Sequence, residues 1–283
     1  MIARVPASSA NIGPGFDALA LALTMYVEIG TVEGGGASEL PDRARLIDTQ
    51  HPGSIAFVRA GGRGDLWERC EIPAGRGLGF SGAVRVAGAL LGRAQREGQD
   101  VIDDVARHEV FPLVSSLEGH ADNVAASLFG GIVATADGRV VRLPLGLDPA
   151  VVVWIPSFAT KTDESRRVLA STVSFDDAVF NIAHVALLVA ALGSGDVDAL
   201  AVATQDRLHQ QARLARAEPS RQAMDAALAS GAWCAWLSGS GPTVAALCHR
   251  DDAGAVAAGL PADGHAKVLR LDHEGATIEA PYT

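Results

Sequence analysis

The segment Gly75-Arg76-Gly77-Leu78-Gly79-Phe80-Ser81-Gly82 follows a strand-like run, Trp67 to Ile72, that Pro73 stops. Behind it comes a helical pattern with Val84, Ala87, Leu90, Leu91 and Ala94 on one face. Strand, glycine-rich turn and helix together let backbone N–H groups approach an anion, while the helix N-terminus adds oriented donors and a partial positive charge. The core of the segment reads G-x-G-x-x-G, the pattern of a dinucleotide-binding turn. That reading requires a second strand carrying an acidic residue about 20 residues on. Here the chain stays helical to about Glu97 and leads into another helical stretch, Val101 to Val110, so the required strand is missing. A Walker A loop is excluded as well, because the two lysines, Lys161 and Lys267, follow no glycine.

Two further segments share this chemistry. Pro6-Ala7-Ser8-Ser9-Ala10-Asn11-Ile12-Gly13-Pro14-Gly15-Phe16-Asp17 carries glycines, serines, an amide and a carboxylate. Leu237-Ser238-Gly239-Ser240-Gly241-Pro242-Thr243 sets glycines and hydroxyls between apolar runs. Each alone reads as a turn, but three of them point to a phosphate-handling site assembled from distant parts of the chain. Charge agrees with a local anion site only. A net charge of −10 argues against a broad nucleic-acid surface.

The remaining pattern gives an α+β protein. Ile2 to Val5 reads as a short strand and Leu19 to Val32 as a longer one, closed by Gly34-Gly35-Gly36; Ala37 to Arg69 is turn-rich and unassigned before Trp67. A helix is expected over Asp122 to Phe129, stopped by Gly130-Gly131, then a hairpin of Ile132–Thr135 and Arg139–Leu143 around Ala136-Asp137-Gly138. Val151 to Ile155 is a buried-type strand. Ser174 to Asp177 forms a capping box ahead of a helix running to Leu192. Helices follow over Asp196–Arg213 and Pro219–Ser230, then a strand, a glycine turn, a strand or helix, and strands near Lys267–Leu271 and Thr277–Ala280. Strands and helices do not alternate regularly, which disfavours a doubly wound sheet. Gly146 to Pro149 is the expected boundary between a unit of residues 1–146 and one of 147–283.

Cys70, Cys234 and Cys248 are too few and too scattered for a disulfide framework or a zinc ribbon, which fits a reducing cytoplasm. His108-Glu109 begins like a zinc-protease helix, but Pro112 occupies the second histidine's position. The N-terminus lacks the apolar run of a signal peptide. The longest apolar helical run, about Ile182 to Leu192, is too short to cross a bilayer and carries His184. A cytoplasmic protein without membrane or nucleic-acid partners is expected.

In order and spacing, the three loops resemble the motifs of the GHMP family of small-molecule kinases. Within that family the chain is most similar to the homoserine kinase branch, at V-P-A-S-S-A-N-I-G-P-G-F-D, E-G-H-A-D-N-V-A, L-S-G-S-G-P-T-V, Thr162 to Arg166 and Asp206 to Arg213. The resemblance implies an N-terminal domain like ribosomal protein S5 domain 2 and a ferredoxin-like C-terminal domain. It also implies ATP with its phosphates on Gly75, Arg76, Gly77, Leu78, Gly79, Phe80, Ser81 and Gly82, and Mg²⁺ on Ser81 and Glu118, with Glu109 as the alternative acid. Such a donor set suits Mg²⁺, which prefers hard oxygens and needs few protein ligands beside the phosphates.

By the same resemblance Asn11, Asp17 and Asn123 surround the amino group and hydroxyl of L-homoserine, and Thr162, Arg166 and Arg213 hold its carboxylate. Asn11, Ser81, Glu118 and Asn123 are the residues nearest the chemistry. Asn123 stands where mevalonate kinase-like members use an aspartate base. An amide takes no proton, so positioning and charge neutralisation would carry the transfer, which a loose transition state allows. Asp122 is expected to cap the following helix with its side chain turned elsewhere, and His209 to pack rather than act as a base. Phe80 departs from the family's pair of serines and removes one side-chain donor to phosphate. The rival readings are another small hydroxy-acid acceptor such as threonine, a binding-only relative, and a dinucleotide enzyme. A homodimer is implied.

Overall fold

The computed structural model of the chain describes residues 1–32, 40–98, 102–159 and 162–279. Gly34 to Gly36, Val101 and Ala280, which fall in the expected loop, helix and strand, lie outside them.

The long apolar runs of the N-terminal half pair into one sheet. Strand β1 (Ile2–Ala10) lies antiparallel to β2 (Leu19–Thr31). It reaches past Val5 into the expected loop because a register shift between Pro6 and Ala7 absorbs the missing proline N–H. The turn-rich region up to Trp67 holds β3 (Arg45–Ile47) and α1 (Pro52–Arg59), neither legible beforehand; α1 starts on Pro52 behind a His51 cap. Strand β4 (Leu66–Cys70) pairs with β2 and β3.

The helix after the glycine-rich segment is α2 (Phe80–Glu97), which packs against β1 and β2 and buries Val84, Ala87, Leu90, Leu91 and Ala94 as the periodicity requires. The next helix, α3 (Asp104–Glu118), differs from the expected Val101–Val110: it starts behind an Asp103 cap and continues through Pro112. Burial of Val110, Phe111 and Val114 against α2 outweighs the lost backbone bond, since two or three such side chains recover several times about 1.5 kcal/mol each. This extension is what brings Glu118 to the site. Helix α4 (Asp122–Phe129) and the hairpin β5 (Ile132–Ala136) and β6 (Arg139–Arg142) follow as expected.

The second sheet begins with β7 (Ala150–Pro156), whose seven residues are all buried. Helices α5 (Thr162–Arg167), α6 (Phe175–Ser194), α7 (Val197–Ala203), α8 (Gln210–Leu214) and α9 (Glu218–Ala229) follow. Then come β8 (Cys234–Leu237), β9 (Val244–Cys248), α10 (Ala253–Ala258) and β10 (Gly264–Leu269). The antiparallel strand order β10-β7-β9-β8, with α9 and α10 packed on the sheet, is the ferredoxin-like arrangement expected. The last strand, β11 (Thr277–Glu279), returns to the first sheet beside β1.

Strand β7 explains how the halves join. Val151, Val153 and Ile155 face the core shared with the first sheet, while Val152 and Trp154 face a smaller core under α9 and α10. A run buried on both faces reads as continuously apolar, as this one does.

Two expectations fail here. The single helix over Asp196–Arg213 is interrupted between α7 and α8, because the chain winds around the buried Asp206 carboxylate. That group accepts from the backbone N–H groups of Leu208 (3.0 Å), His209 (2.9 Å) and Gln210 (2.7 Å). The apolar run is also not limited to Ile182–Leu192: α6 as a whole is long and apolar enough to cross a membrane by length and composition. Its capping box forms, with Ser174 Oγ accepting from the Asp177 N–H. Its Asn181 bonds Asp206 and the Pro14 carbonyl, tying it to the site.

Candidate active site

The three glycine-rich segments meet. Ser8 N–H donates to the Leu78 carbonyl (3.2 Å), Gly239 N–H to the Ala10 carbonyl (3.1 Å), and Ser238 Oγ to the Gly77 carbonyl (2.6 Å). Ser9 Oγ lies 2.7 Å from Ser238 Oγ and accepts from the Trp236 indole at 3.0 Å. Glycine is required where these backbones touch. Gly79 has φ 70°, and a Cβ there would collide with Ser8 Oγ; Gly77 has φ 74°, and its Cβ would strike the Ser238 carbonyl. The segments therefore form one wall. Gly79 caps α2 without a side chain, so the first N–H groups of that helix are left for an anion.

One cavity opens in front of that wall. Asn11, Phe16, Asp17, the run Gly75 to Ser81, Glu118, His120, Asp122, Asn123, Arg166 and Arg213 line it. Of the expected residues, Gly82 stands behind the wall, against Asn123 and Val124. Thr162 opens α5, but its side chain lies outside the described residues. The alternative acid Glu109 accepts from Arg93 Nε at 2.8 Å and lines no part of the cavity.

At one end, Ser81 Oγ donates to Glu118 Oε2 at 2.8 Å. Arg85, one turn along α2, reaches both: its Nη1 is 2.6 Å from Glu118 Oε2 and also bonds Ser81 Oγ. These are hard oxygens of the kind Mg²⁺ takes beside phosphates; among the described residues no cluster of three or more His, Cys, Asp or Glu forms a metal site of its own. Arg85 was not anticipated, although its i+4 spacing from Ser81 puts both on one helix face. Phe80 is half-buried, its ring set edge-on to His51 at 6.2 Å.

In the middle, Asn123 Oδ1 accepts from Ser8 Oγ at 2.9 Å. Asp122 corrects its expectation. It is the first residue of α4 rather than its cap, and its buried carboxylate lines the cavity, accepting from the Asn123 N–H at 2.7 Å. His120 Nδ1 lies 3.2 Å from Asp122 Oδ1, and Nε2 lies 3.9 Å from Glu118 Oε1. The Asp122 carboxylate beside it raises the pKa of His120 above the ordinary histidine value, against the pull of burial. His120 was overlooked although it stands inside E-G-H-A-D-N.

At the other end, Arg166 grips Asp17 through two hydrogen bonds of 2.9 and 2.7 Å. Asn11 lines the cavity too, but its amide is engaged: Nδ2 donates to the Gly239 carbonyl (2.9 Å), and Oδ1 accepts from the Asp17 N–H (3.1 Å). Arg213 Nη1 donates to the same Gly239 carbonyl at 3.0 Å and to His209 Nδ1 at 3.1 Å. Since Nδ1 accepts, Nε2 carries the proton and donates to the Gly13 carbonyl at 2.8 Å, which fixes a neutral tautomer. Burial lowers the His209 pKa in the same sense. His209 thus packs as expected, stacked on Phe16 at 5.0 Å, with the Asp206 carboxylate 3.8 Å from its Nε2. Burial and the neighbouring Arg166 bring Arg213 down to about 10, so it stays charged at neutral pH.

Known proteins resemble this chain in sequence and in fold. Residues 188–266 match the model of the GHMP kinases C-terminal domain. The chain is 39% identical to a homoserine kinase of Moorella thermoacetica over 267 residues, covering 88% of this chain and 87% of that one. It is 37% identical to a homoserine kinase of Streptomyces coelicolor over 292 residues, covering 97% and 93%. The crystal structure of a homoserine kinase from Cytophaga hutchinsonii superposes with a TM-score of 0.83 over 99% of this chain and 97% of that one, at 24% identity, which is a likeness of fold.

Proposed function

The chain belongs to the homoserine kinase family of GHMP kinases, and from that membership we propose that it transfers the γ-phosphoryl group of ATP to the side-chain hydroxyl of L-homoserine, giving O-phospho-L-homoserine for threonine biosynthesis. The observation that carries the reading is the meeting of an anion-binding helix start with a carboxylate–arginine pair across one cavity. Phosphates suit the first, and a zwitterionic amino acid suits the second. The two proposed halves share the work: residues 1–146 hold the nucleotide and give Asp17 and Asn123 to the acceptor, and 147–283 supply Arg166 and Arg213 to it.

In this reading Gly75 to Ser81 cradle the triphosphate through backbone N–H groups. Ser81 and Glu118 would hold Mg²⁺, which when bound neutralises phosphate charge. Asp17 takes the acceptor ammonium, while Arg166 and Arg213 take its carboxylate by paired N–H bonds. Asn123, its carbonyl fixed by Ser8, keeps an amide N–H₂ for the acceptor oxygen. Holding nucleophile and phosphate in line supplies most of the rate in such a transfer.

A coupled assay of ADP release across L-homoserine, L-threonine and L-serine tests this. Release with homoserine at least tenfold above the others supports it; faster release with threonine moves the acceptor, and none with any acceptor defeats the kinase reading. A binding-only relative is the second reading, favoured by Phe80 and by Arg85 on the Ser81–Glu118 pair. Nucleotide binding without turnover would select it. We extend the proposal to a cytoplasmic homodimer, supported by the exposed Phe175, Val179, Ile182 and Leu187 of α6 and checked by sedimentation equilibrium.

A further inference from the structure

Mg²⁺ and a guanidinium ask for the same thing, a carboxylate oxygen with its negative charge unspent. Glu118 has such a carboxylate, with its side chain 9% exposed, and Arg85, 19% exposed, already lies on its Oε2 at 2.6 Å. Ser81 Oγ is engaged on both sides, accepting from Arg85 and donating its proton to Glu118 Oε2. The three groups form a closed, neutral triad at the first turn of α2. His120 Nε2 stands 3.9 Å from Glu118 Oε1 and adds no negative charge.

We propose that Arg85 is the resident cation of the Ser81–Glu118 pair, and that a divalent metal takes these two oxygens only by displacing it. The inference rests on the kinase reading for its metal and on this chain's own geometry for the competitor. Two cations cannot both draw fully on one carboxylate. With Arg85 in position the metal meets a neutral triad, and without it a site of charge −1. The cost of displacement makes metal binding weak until nucleotide phosphates offer the guanidinium another anion. Arg85 is thus a positioning residue that ties metal capture to nucleotide capture.

The test is Mn²⁺ binding to the full-length protein, read from the EPR signal of free Mn²⁺ without acceptor or turnover. Arg85→Met keeps most of the buried stem and removes the charge. It is expected to tighten Mn²⁺ binding at least tenfold, whereas Arg85→Lys, which keeps a cation there, stays within about threefold of wild type. The tightening must vanish in the double variant Arg85→Met/Glu118→Gln. Unchanged or weaker Mn²⁺ binding in Arg85→Met overturns the proposal, since Arg85 would then orient Glu118 for the metal. Tightening that survives loss of Glu118, or no Mn²⁺ binding by any variant, overturns it as well. Titrating metal-free ADP into the same samples keeps the two claims apart: wild type that binds no ADP refutes the nucleotide reading, whatever Arg85 does to Mn²⁺.

Discussion

Arg166 holds Asp17 through two hydrogen bonds, 2.9 Å from Nη1 to Oδ2 and 2.7 Å from Nη2 to Oδ1, across 149 residues of sequence. Each partner is the complement of one charge on a free amino acid. An acceptor carrying both ammonium and carboxylate repays both groups when it opens the pair; an acceptor carrying one leaves a cavity charge underpaired. We expect 4-hydroxybutyrate and 3-aminopropan-1-ol each to have kcat/KM at least a hundredfold below homoserine. Comparable rates for either would mean that the pair stays closed and the acceptor binds elsewhere.

Arg213 lines the cavity and also ties α8 to the Gly239 carbonyl. Arg213→Ala should raise the KM for homoserine roughly tenfold or more, as losing one partner of a desolvated charge pair costs about 2–5 kcal/mol. The KM for ATP should change less than threefold. Arg213→Lys should recover only part of the loss, because an ammonium lacks the paired fork. Steady-state kinetics on both substrates decides; equal loss for ATP and homoserine would reassign the residue to the scaffold.

Phe80 opens α2 with its ring edge-on to His51. Phe80→Ser adds a hydroxyl beside the phosphate wall and gives up a half-buried ring. ATP binding should tighten or stay level by isothermal titration, with a loss of stability of about 1–2 kcal/mol from the vanished apolar contact. Abolished ATP binding in a folded variant would show that the loop is built around the ring.

His120 gives a pH signature. Its folded-state pKa is raised by Asp122, so it binds its proton more tightly folded than unfolded. The stabilisation it contributes is complete below the unfolded value of about 6.5 and is lost as pH rises through the folded value. The Tm gap between wild type and His120→Gln should therefore narrow as pH is raised from 6 towards 9. A gap that is constant or widens would remove the proton from the account.

Local patterns along the chain specify the separate elements. The helix behind Gly79 followed from its apolar period, β7 from its unbroken apolar run, and the hairpin from Ala136-Asp137-Gly138, because these signals act over a few residues. The motif resemblance also named Asp17, Ser81, Glu118, Asn123, Arg166 and Arg213, all of which line one cavity. What those residues touch follows from packing between distant segments. α3 runs through Pro112 because α2 buries its far end, a contact that no local propensity encodes. The α7–α8 break exists because a buried carboxylate at Asp206 collects three backbone N–H groups, and Asp122 turns inward because His120 and the Asn123 N–H meet it there. Arg85 reads as an ordinary exposed-face arginine until Glu118 arrives from another helix. Charge pairing at a distance belongs to the fold, since burial makes an unmatched charge costly and the sequence does not say which charges will be buried together.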